Sequence, residues 1–437
     1  MSAALRAAIA GACVILAACA ATPTAIRPPP LPAQVRSEPG EFVVVTVHND
    51  PAAVATHPGS TPRGYDAAGI YGVTSRASAD VRALEREYGL NEVSSWPISL
   101  LRVHCIVFRV SAHDSADTMI ARLAHDPRVE SAQPLNQFTT EAGRVDATGR
   151  SGDPDSSLQV TLRTLAVAQA HRWSRGAGVR VAIIDTGADF AHPDLRDRVV
   201  ERRNFVDTDE HQFRLDRHGT EVAGVIGADA DNALDIIGIA PQAQLVLLKA
   251  CWQIADGRAV CNSFTLAQAL EAAIALRANV VNLSLAGPPD ALLTRLIERG
   301  IEQGVLFVGA VAPAHVGGSF PADVPGVLAV ESAEDSTGNP AHLLAPGRDV
   351  LTLVPGGRSD FASGSSFAAA EVSGTLALLL AERRRMSADD AHRILVRTSQ
   401  RIETDEGALT SINACAALAD ALPHAPCNPA TPVEASR

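Results

Sequence analysis

Three polar residues far apart in the chain, Asp185, His218 and Ser366, each border an apolar run where a reactive side chain could be held in place. Asp185 closes the run 181–184, His218 precedes the amphipathic run 222–226, and Ser366 precedes the run 372–380. In one site, a histidine can take the proton of a serine hydroxyl while a carboxylate fixes the tautomer of the imidazole. These residue types predict acyl transfer by a serine nucleophile.

Each of the three residues also has a simpler explanation when it is taken alone. Asp185 could cap the tight turn at Thr186-Gly187 through its own side chain. His218 could be an exposed polar residue at a helix start, and Ser365 or Ser366 could be an N-cap. The prediction therefore depends on the three occurring together.

The motifs around these residues resemble those of subtilisin-like serine peptidases over roughly Leu158 to Ser411. The chain has the order aspartate, histidine, serine that subtilisins use, in Asp185-Thr186-Gly187 with His192-Pro193-Asp194-Leu195, His218-Gly219-Thr220 and Gly364-Ser365-Ser366-Phe367-Ala368. An α/β-hydrolase fits poorly, because it needs Gly-x-Ser-x-Gly and a histidine after the serine.

The resemblance implies an endopeptidase that cleaves peptide bonds through an acyl-enzyme, with Asp185, His218 and Ser366 as its catalytic triad and no cofactor required for catalysis. The backbone N–H of Ser366, at a helix N-terminus, would stabilise the oxyanion. Where the family commonly has a second histidine this chain has Glu221, whose side chain we expect to face away from the chemistry.

A second segment resembles the edge along which subtilisin-like enzymes pair the substrate backbone. It reads Asn282-Leu283-Ser284-Leu285-Ala286-Gly287-Pro288. Such pairing adds the substrate as a strand, with side-chain pockets that set preference. We expect Ser284, Leu285, Ala286 and Gly287 to bind substrate, although the same residues could be only a strand end and a loop.

The chain departs from the family pattern at one expected oxyanion-hole residue. Where the family has an asparagine that donates to the oxyanion, direct alignment puts Pro313, which has no side-chain donor and no N–H. In subtilisin itself, removal of this donor costs roughly a hundred- to a thousandfold in turnover. His315 could replace the donor or be an exposed loop residue. Two hypotheses follow: a working exported endopeptidase with weakened turnover, or an impaired pseudopeptidase that acts as a peptide-binding envelope lipoprotein.

Short apolar runs alternate with helical patterns in the second half of the chain and predict an α/β fold. The strand-like runs are Val179–Ile184, Leu245–Leu248, Val280–Leu283, Val305–Val308 and Val327–Val330, and the helical runs include Phe264–Leu276 and Ala291–Arg299. This alternation indicates a parallel sheet with helices on both faces. Active residues are then expected at the carboxyl ends of strands.

A small α+β module is predicted at 41–138. Its elements are a strand at Phe42–Val47, a helix at Ala79–Tyr88, a strand at Leu101–Val110, a helix at Ser115–His125 and a strand at Arg128–Phe138. The segment from Asp126 to Pro134 resembles the end of subtilisin-like propeptides, which implies a ferredoxin-like module that binds the peptidase. An unrelated sandwich domain is the alternative. We expect a linker with a processing site at 139–157, the peptidase domain at 158–411 and a tail at 412–437.

The N-terminus reads as a leader for export. Arg6 precedes an apolar run from Ala7 to Ala18 that is too short to span a bilayer. Leu16-Ala17-Ala18-Cys19 resembles the bacterial lipobox, which implies a signal peptide at 1–18 and lipid attachment at Cys19; ordinary Ala-x-Ala cleavage is the alternative. A proline-rich tether is predicted at 19–40. The expected location is the cell envelope, at the outer membrane or facing the periplasm.

The other cysteines predict disulfides, which export permits. Cys251 and Cys261 flank a polar turn, and their bridge would contribute about 3 kcal/mol on the chain-entropy model. Cys415 and Cys427 form a second plausible pair. Zinc is the rival ligand, but the chain has no Cys-x-x-Cys. Cys105, in an apolar run, is predicted to be a buried free thiol.

Composition excludes a nucleic-acid partner. The formal net charge is −12, and Lys249 is the only lysine in the chain, whereas nucleic-acid binding needs a basic face. The expected partners are protein or peptide substrates, the chain's own N-terminal module and a membrane. Structural calcium is possible because Asp194, Asp207 and Asp209 are available, but carboxylates in loops are usually solvated.

Overall fold

A computed structural model of the chain describes residues 32–50, 72–140, 159–232, 236–254, 258–312, 318–404 and 407–422. The helices and strands named below all lie in one compact unit, which comprises Pro28–Pro51 and Val73–Arg437. Among the described residues, no helix has both the length and the apolar composition needed to cross a membrane.

The N-terminal module is a four-stranded antiparallel sheet with two helices on one face. The sheet order is β2-β3-β1-β4, so the first strand of the module lies inside the sheet. The elements of this part of the chain are α1 (Ala33–Ser37), β1 (Phe42–His48), α2 (Ser75–Tyr88), β2 (Asn91–Ile98), β3 (Val103–Arg109), α3 (Ala116–Leu123), β4 (Val129–Pro134) and β5 (Gln137–Thr140).

Alternation along β1 and β3 gives the module two apolar faces. Val43, Val45 and Ile106 pack under α2 and α3, whereas Val44 and Cys105 face the other way and join the core of the larger domain. Both faces are buried because successive side chains of a strand point to opposite sides of the sheet. The module is thus an integral layer of the molecule.

The larger domain is built on a seven-stranded parallel sheet in the order β15-β14-β13-β11-β6-β8-β7. The sheet strands are β6 (Arg180–Asp185), β7 (Val199–Asn204), β8 (Gln244–Lys249), β11 (Val280–Leu283), β13 (Leu306–Ala310), β14 (Val327–Ser332) and β15 (Leu343–Ala345). The other strands are β9 (Cys251–Gln253), β10 (Ala259–Asn262), β12 (Leu285–Ala286), β16 (Val350–Val354), β17 (Arg358–Ala362), β18 (Gln400–Thr404) and β19 (Gly407–Ser411).

Helices cover both faces of this sheet, as the alternating sequence pattern predicts. The buried helix α10 and helix α7 pack on one face, and α8 and α9 pack on the other. The helices are α4 (Val160–Thr164), α5 (Val167–Ala170), α6 (Glu210–Leu215), α7 (Arg217–Gly227), α8 (Ser263–Ala275), α9 (Ala291–Glu302), α10 (Ser365–Glu382), α11 (Ala388–Arg397) and α12 (Ala414–Ala421). The predicted α/β architecture, a parallel sheet with helices on both faces, is confirmed.

Several boundaries of strands and segments in the structure differ from the predicted ones. Val35, inside the predicted tether, is fully buried. The predicted closing strand at 128–138 is two strands, β4 and β5, and β5 continues to Thr140, inside the predicted linker. The predicted tail begins with α12, which packs on α5 and α10. These segments lack long periodic patterns, so only their packing partners fix their structure.

Candidate active site

Asp185 and His218 meet at the carboxyl end of the parallel sheet. Asp185 is the last residue of β6, and His218 is the second residue of α7. The Asp185 Oδ1 atom accepts hydrogen bonds from the His218 Nδ1–H, at 2.7 Å, and from the backbone N–H of Thr186, at 2.6 Å. Asp185 therefore both caps its turn and fixes the imidazole tautomer.

His218 is buried, so it is not an exposed polar residue at a helix start. Its exposed fraction is 5 %, against 1 % for Asp185, and its ring lies 5.9 Å from the ring of Phe367. A solvated surface histidine would need neither a buried carboxylate nor an aromatic neighbour. Asp185 and His218 therefore form a buried hydrogen-bonded pair.

Ser366 lies in the first turn of α10, as the sequence predicts. The N-cap is Gly364, which makes no side-chain cap hydrogen bond, so neither serine caps the helix. The first N–H groups of a helix have no partner within the helix and carry its positive end. The Ser366 N–H is therefore placed where an anionic oxygen would be stabilised.

A buried polar chain holds Ser366 against the carboxyl end of the central strand β11. The Ser366 hydroxyl donates to the Ser284 carbonyl at 3.2 Å, and the Ser284 hydroxyl donates to the Ser366 carbonyl at 3.0 Å. Asn282 donates to the Ser284 hydroxyl at 2.8 Å and accepts from Ser373 at 2.9 Å. Because a hydroxyl has one proton to donate, Ser366 must rotate before it donates to His218.

The predicted substrate edge is already occupied by the N-terminal part of the chain. Strand β5 pairs antiparallel with β12 on one side, through Thr140 opposite Leu285 and Thr139 opposite Ala286. On its other side β5 pairs with β10, which gives a four-stranded sheet in the order β12-β5-β10-β9. The exit strand of the module thus lies where a substrate strand is expected. The short polar sequence Gln137-Phe138-Thr139-Thr140 gives little sign of this role.

Phe138 anchors this strand in the cleft. Its side chain is 1 % exposed, and its ring lies 5.4 Å from that of Phe320. A Cβ atom on Gly287 would come within 2.4 Å of the Phe138 ring. Gly287 has no side chain, and this leaves room in the cleft for the Phe138 ring.

The module is also fixed to α8 of the larger domain by a half-buried carboxylate. Glu271 on α8 accepts hydrogen bonds from the Trp96 indole at 3.2 Å, from the Ser99 N–H at 2.8 Å and from the Ser99 hydroxyl at 3.1 Å. Burial raises the pKa of Glu271. Trp96 packs edge-on against Phe264 with 4.7 Å between the ring centroids.

Glu221 lies on the same helix as His218 and is 4 % exposed. Its carboxylate pairs with Arg217 at 2.6 Å, and Arg217 also binds Asp360 at 2.9 Å. Burial raises the pKa of Glu221, while the nearby His218 and Arg217 favour its ionised form. The side chain is directed to this ion pair, and its charge still acts on His218.

The structure contains the predicted disulfide between Cys251 and Cys261, which joins β9 to β10. This bridge stiffens the strand that flanks β5. Cys105 is a buried free thiol, as predicted, and burial raises its pKa well above the ordinary value. Cys415 is disulfide-bonded; its predicted partner Cys427 lies outside the described residues.

Some of the predicted site residues lie outside the described part of the chain, and others have contacts that the sequence does not predict. Pro313, His315 and Cys19 lie outside the described residues, as do the leader and most of the linker. The calcium candidates have other contacts: Asp194 accepts from Asn232, Asp207 from Asn204, and Asp209 caps α6. In the part of the chain that the structure describes, no group of three or more potential metal ligands comes together.

The larger domain is similar to known serine proteases. Residues 176–415 match the model of the subtilase family. The chain is 32% identical over 225 residues to an intracellular serine protease of Paenibacillus polymyxa, which covers 47% of this chain and 68% of that protein. It is 29% identical over 288 residues to a thermophilic serine proteinase of Bacillus sp. (strain AK1), with coverage of 63% and 69%.

Among solved structures, fervidolysin from Fervidobacterium pennivorans, a keratinolytic enzyme related to subtilisin, has the same fold, with a TM-score of 0.65 at 20% identity. The match covers 86% of this chain but only 60% of fervidolysin. The family model spans more than half of the chain and contains Asp185, His218 and Ser366. The chain therefore belongs to the subtilase family of serine peptidases.

Proposed function

We propose that the protein is an exported endopeptidase, anchored through a lipid at Cys19, whose own N-terminal module fills the substrate cleft until the linker is cut. The observation that carries the proposal is the pairing of β5 with Leu285 and Ala286, beside Ser366 and the Asp185–His218 pair. A strand in this position is bound as a substrate would be.

In the proposed reaction, Ser366 attacks the scissile carbonyl and His218 takes its proton as general base. His218 then donates that proton to the leaving amine, while Asp185 stabilises the imidazolium. The Ser366 N–H donates to the oxyanion. Because Pro313 cannot supply a second donor, we expect turnover roughly a hundred- to a thousandfold below that of an enzyme with the complete hole.

Substrates would bind as an added strand along Ser284, Leu285, Ala286 and Gly287. Phe138 shows what the cleft accepts, because a large aromatic ring fits against Phe320 over Gly287. The proposed substrates are therefore extended segments of proteins or peptides.

The alternative is a pseudopeptidase that keeps the cleft as a peptide-binding module on the envelope. The loss of the oxyanion asparagine favours it, and so does the resting hydrogen bond of the Ser366 hydroxyl to Ser284. The short Asp185–His218 hydrogen bond favours the enzyme, because peptide binding alone does not require it.

The test uses the full chain without the leader and Cys19, with a Ser366→Ala variant as its matched control. Mass spectrometry would show whether the linker after Thr140 is cut, and a fluorophosphonate probe would report an activated serine. Cutting and labelling that both require Ser366 support the endopeptidase. A folded wild-type chain that is neither cut nor labelled supports the pseudopeptidase.

Export and anchoring need a separate test. Lipid labelling and membrane fractionation of the complete chain, beside a Cys19→Ser variant, would show an anchored form only for the wild type. An unlipidated wild-type chain in the soluble fraction would contradict the anchor.

A further inference from the structure

The only lysine of the chain is buried beside the proposed triad. Lys249 is the last residue of β8, is 1 % exposed, and lies directly opposite Asp185 in the parallel pairing of β8 with β6. A buried ammonium costs several kcal/mol unless it is paired. Lys249 is therefore not a solvated surface residue, which is the usual place of a lysine.

The partner of Lys249 is Asp216, the residue that precedes α7. The Lys249 ammonium donates to the Asp216 Oδ2 atom, and Asp216 is fully buried. The same Oδ2 atom accepts the backbone N–H of Gly187 at 2.8 Å. Asp216 therefore bridges the end of β8 and the turn that follows Asp185.

Two further hydrogen bonds join the turn after Asp185 to the start of α7. The Thr186 hydroxyl oxygen accepts the N–H of Gly219 at 3.0 Å, and the Thr220 hydroxyl oxygen accepts the N–H of Asp189 at 2.9 Å. The two segments are so close that a Cβ atom on Gly219 would lie 2.4 Å from the Gly187 carbonyl oxygen. The turn after Asp185 and the start of α7 thus form one fixed unit.

We propose that Lys249 and Asp216 are positioning residues that set the Asp185–His218 hydrogen bond. Neither residue touches the substrate edge in the described contacts. Asp216 holds the turn that carries Asp185 and begins the helix that carries His218, while Lys249 neutralises Asp216 and fixes its carboxylate. This inference rests on the proposed catalytic role of the two triad residues.

We expect the pair to contribute to the charge around His218, because Asp216 directly precedes the helix that carries His218. Among the described residues, the ionisable groups near His218 and its partners include Asp185 on β6, Glu221 and Arg217 on α7, and Asp360 on β17, in addition to Lys249 and Asp216. Above the pKa of Asp216, which burial raises, removal of Lys249 leaves the Asp216 charge unbalanced and should raise the pKa of His218. Removal of the Asp216 charge leaves the ammonium unbalanced and should lower it.

The experiment follows the low-field proton resonance of the His218 Nδ1–H by NMR, as a function of pH, in the full chain. This signal reports the hydrogen bond to Asp185 whether or not the enzyme turns over. We expect its midpoint to move to higher pH in Lys249→Met and to lower pH in Asp216→Asn. The amide that replaces the carboxylate in Asp216→Asn would still present an oxygen to the Gly187 N–H, so this variant isolates the charge.

A double variant, Asp216→Asn with Lys249→Met, covers the case in which a single variant does not fold, because it leaves no buried unpaired charge. We expect it to fold, to recover the wild-type midpoint, and to label with fluorophosphonate about tenfold more slowly because the triad is less well positioned. Arg397→Met on α11, which breaks the exposed pair with Asp420, is the control that should change none of these signals.

The outcomes separate the two claims. A wild-type chain that gives the resonance but does not label contradicts the proposed peptidase function and leaves the positioning role intact. Unchanged midpoints in both single variants, or a double variant that labels at the wild-type rate, would show that the ion pair only stabilises the fold.

Discussion

Glu371 is a buried carboxyl group on α10, five residues after Ser366. It is 1 % exposed, and its Oε2 atom has no hydrogen-bond partner among the described residues. Burial is the main cause that raises its pKa well above the ordinary value, the charge of Glu334 adds to this, and a hydrogen bond from Thr161 opposes it. Burial therefore favours the protonated, uncharged form of Glu371 in the folded chain.

This pKa makes stability depend on pH. Because the folded-state pKa is raised, the folded chain holds a proton that the unfolded chain releases above about pH 4.5. Unfolding therefore becomes easier as pH rises, by up to about 1.4 kcal/mol per pH unit, until the folded-state pKa is reached. We predict that Glu371→Gln, in a Ser366→Ala background, loses less stability between pH 5 and pH 8 than the parent in urea unfolding.

Glu298→Gln on the exposed side of α9 is the control for this prediction, and it should follow the parent at every pH. Parallel stability curves for Glu371→Gln and its parent would show that Glu371 is ionised in the folded state.

At the scale of elements, strand β5 links the module to the cleft. The sequence analysis predicts a strand in this region but joins it to β4, although Pro134 and Asn136 at the break are residues that strands disfavour. The structure shows two strands that belong to different sheets. Asn136, between them, is fixed from the peptidase side by hydrogen bonds with Ser263 and Asp290.

Gly287 provides a way to displace this strand without changing the proposed triad. An added Cβ would overlap Phe138, so we predict that Gly287→Ala weakens the docking of β5 and of the module. Cys105 is the probe, because it is fully buried on the module face that packs against α8 and α9. Its alkylation by iodoacetamide should be at least about tenfold faster in Gly287→Ala than in the parent, because even 1.4 kcal/mol of lost docking energy changes the equilibrium tenfold.

The control for this measurement is Gly40→Ala, at a position where an added Cβ meets no atom within 4 Å. Equal alkylation rates in the parent and in Gly287→Ala would mean that Phe138 and β5 do not limit release of the module.

For the whole molecule, the order of the parts has a consequence. The proposed lipid would be attached on the amino side of the module, whereas the proposed triad lies beyond the linker. A cut in the linker breaks the covalent connection, but β5 and the Glu271 contacts with Trp96 and Ser99 remain. The module could then serve as a non-covalent tether.

We predict that the peptidase domain stays with the membrane fraction, either uncut or cut and still bound to its module. Native gel filtration of detergent extracts should give one complex, and denaturing gels would resolve two fragments if the linker is cut. A free peptidase domain in the culture medium would contradict both forms.

Sequence patterns alone establish the parallel α/β fold, the position of Asp185 at a strand end, and the positions of His218 and Ser366 at helix starts. Apolar periodicity and short motifs suffice for these features because they are local. The same patterns predict the bridge between Cys251 and Cys261 and the buried thiol of Cys105.

What occupies the cleft and what surrounds the triad depend instead on long-range packing. The run Gln137–Thr140 has little pattern of its own, and its place between β12 and β10 comes from pairing with residues more than a hundred positions away. Likewise, Lys249 and Asp216 are distant in sequence, and a lysine is expected at the surface. Their pairing follows from the parallel sheet, which brings the ends of β6 and β8 together beneath the start of α7.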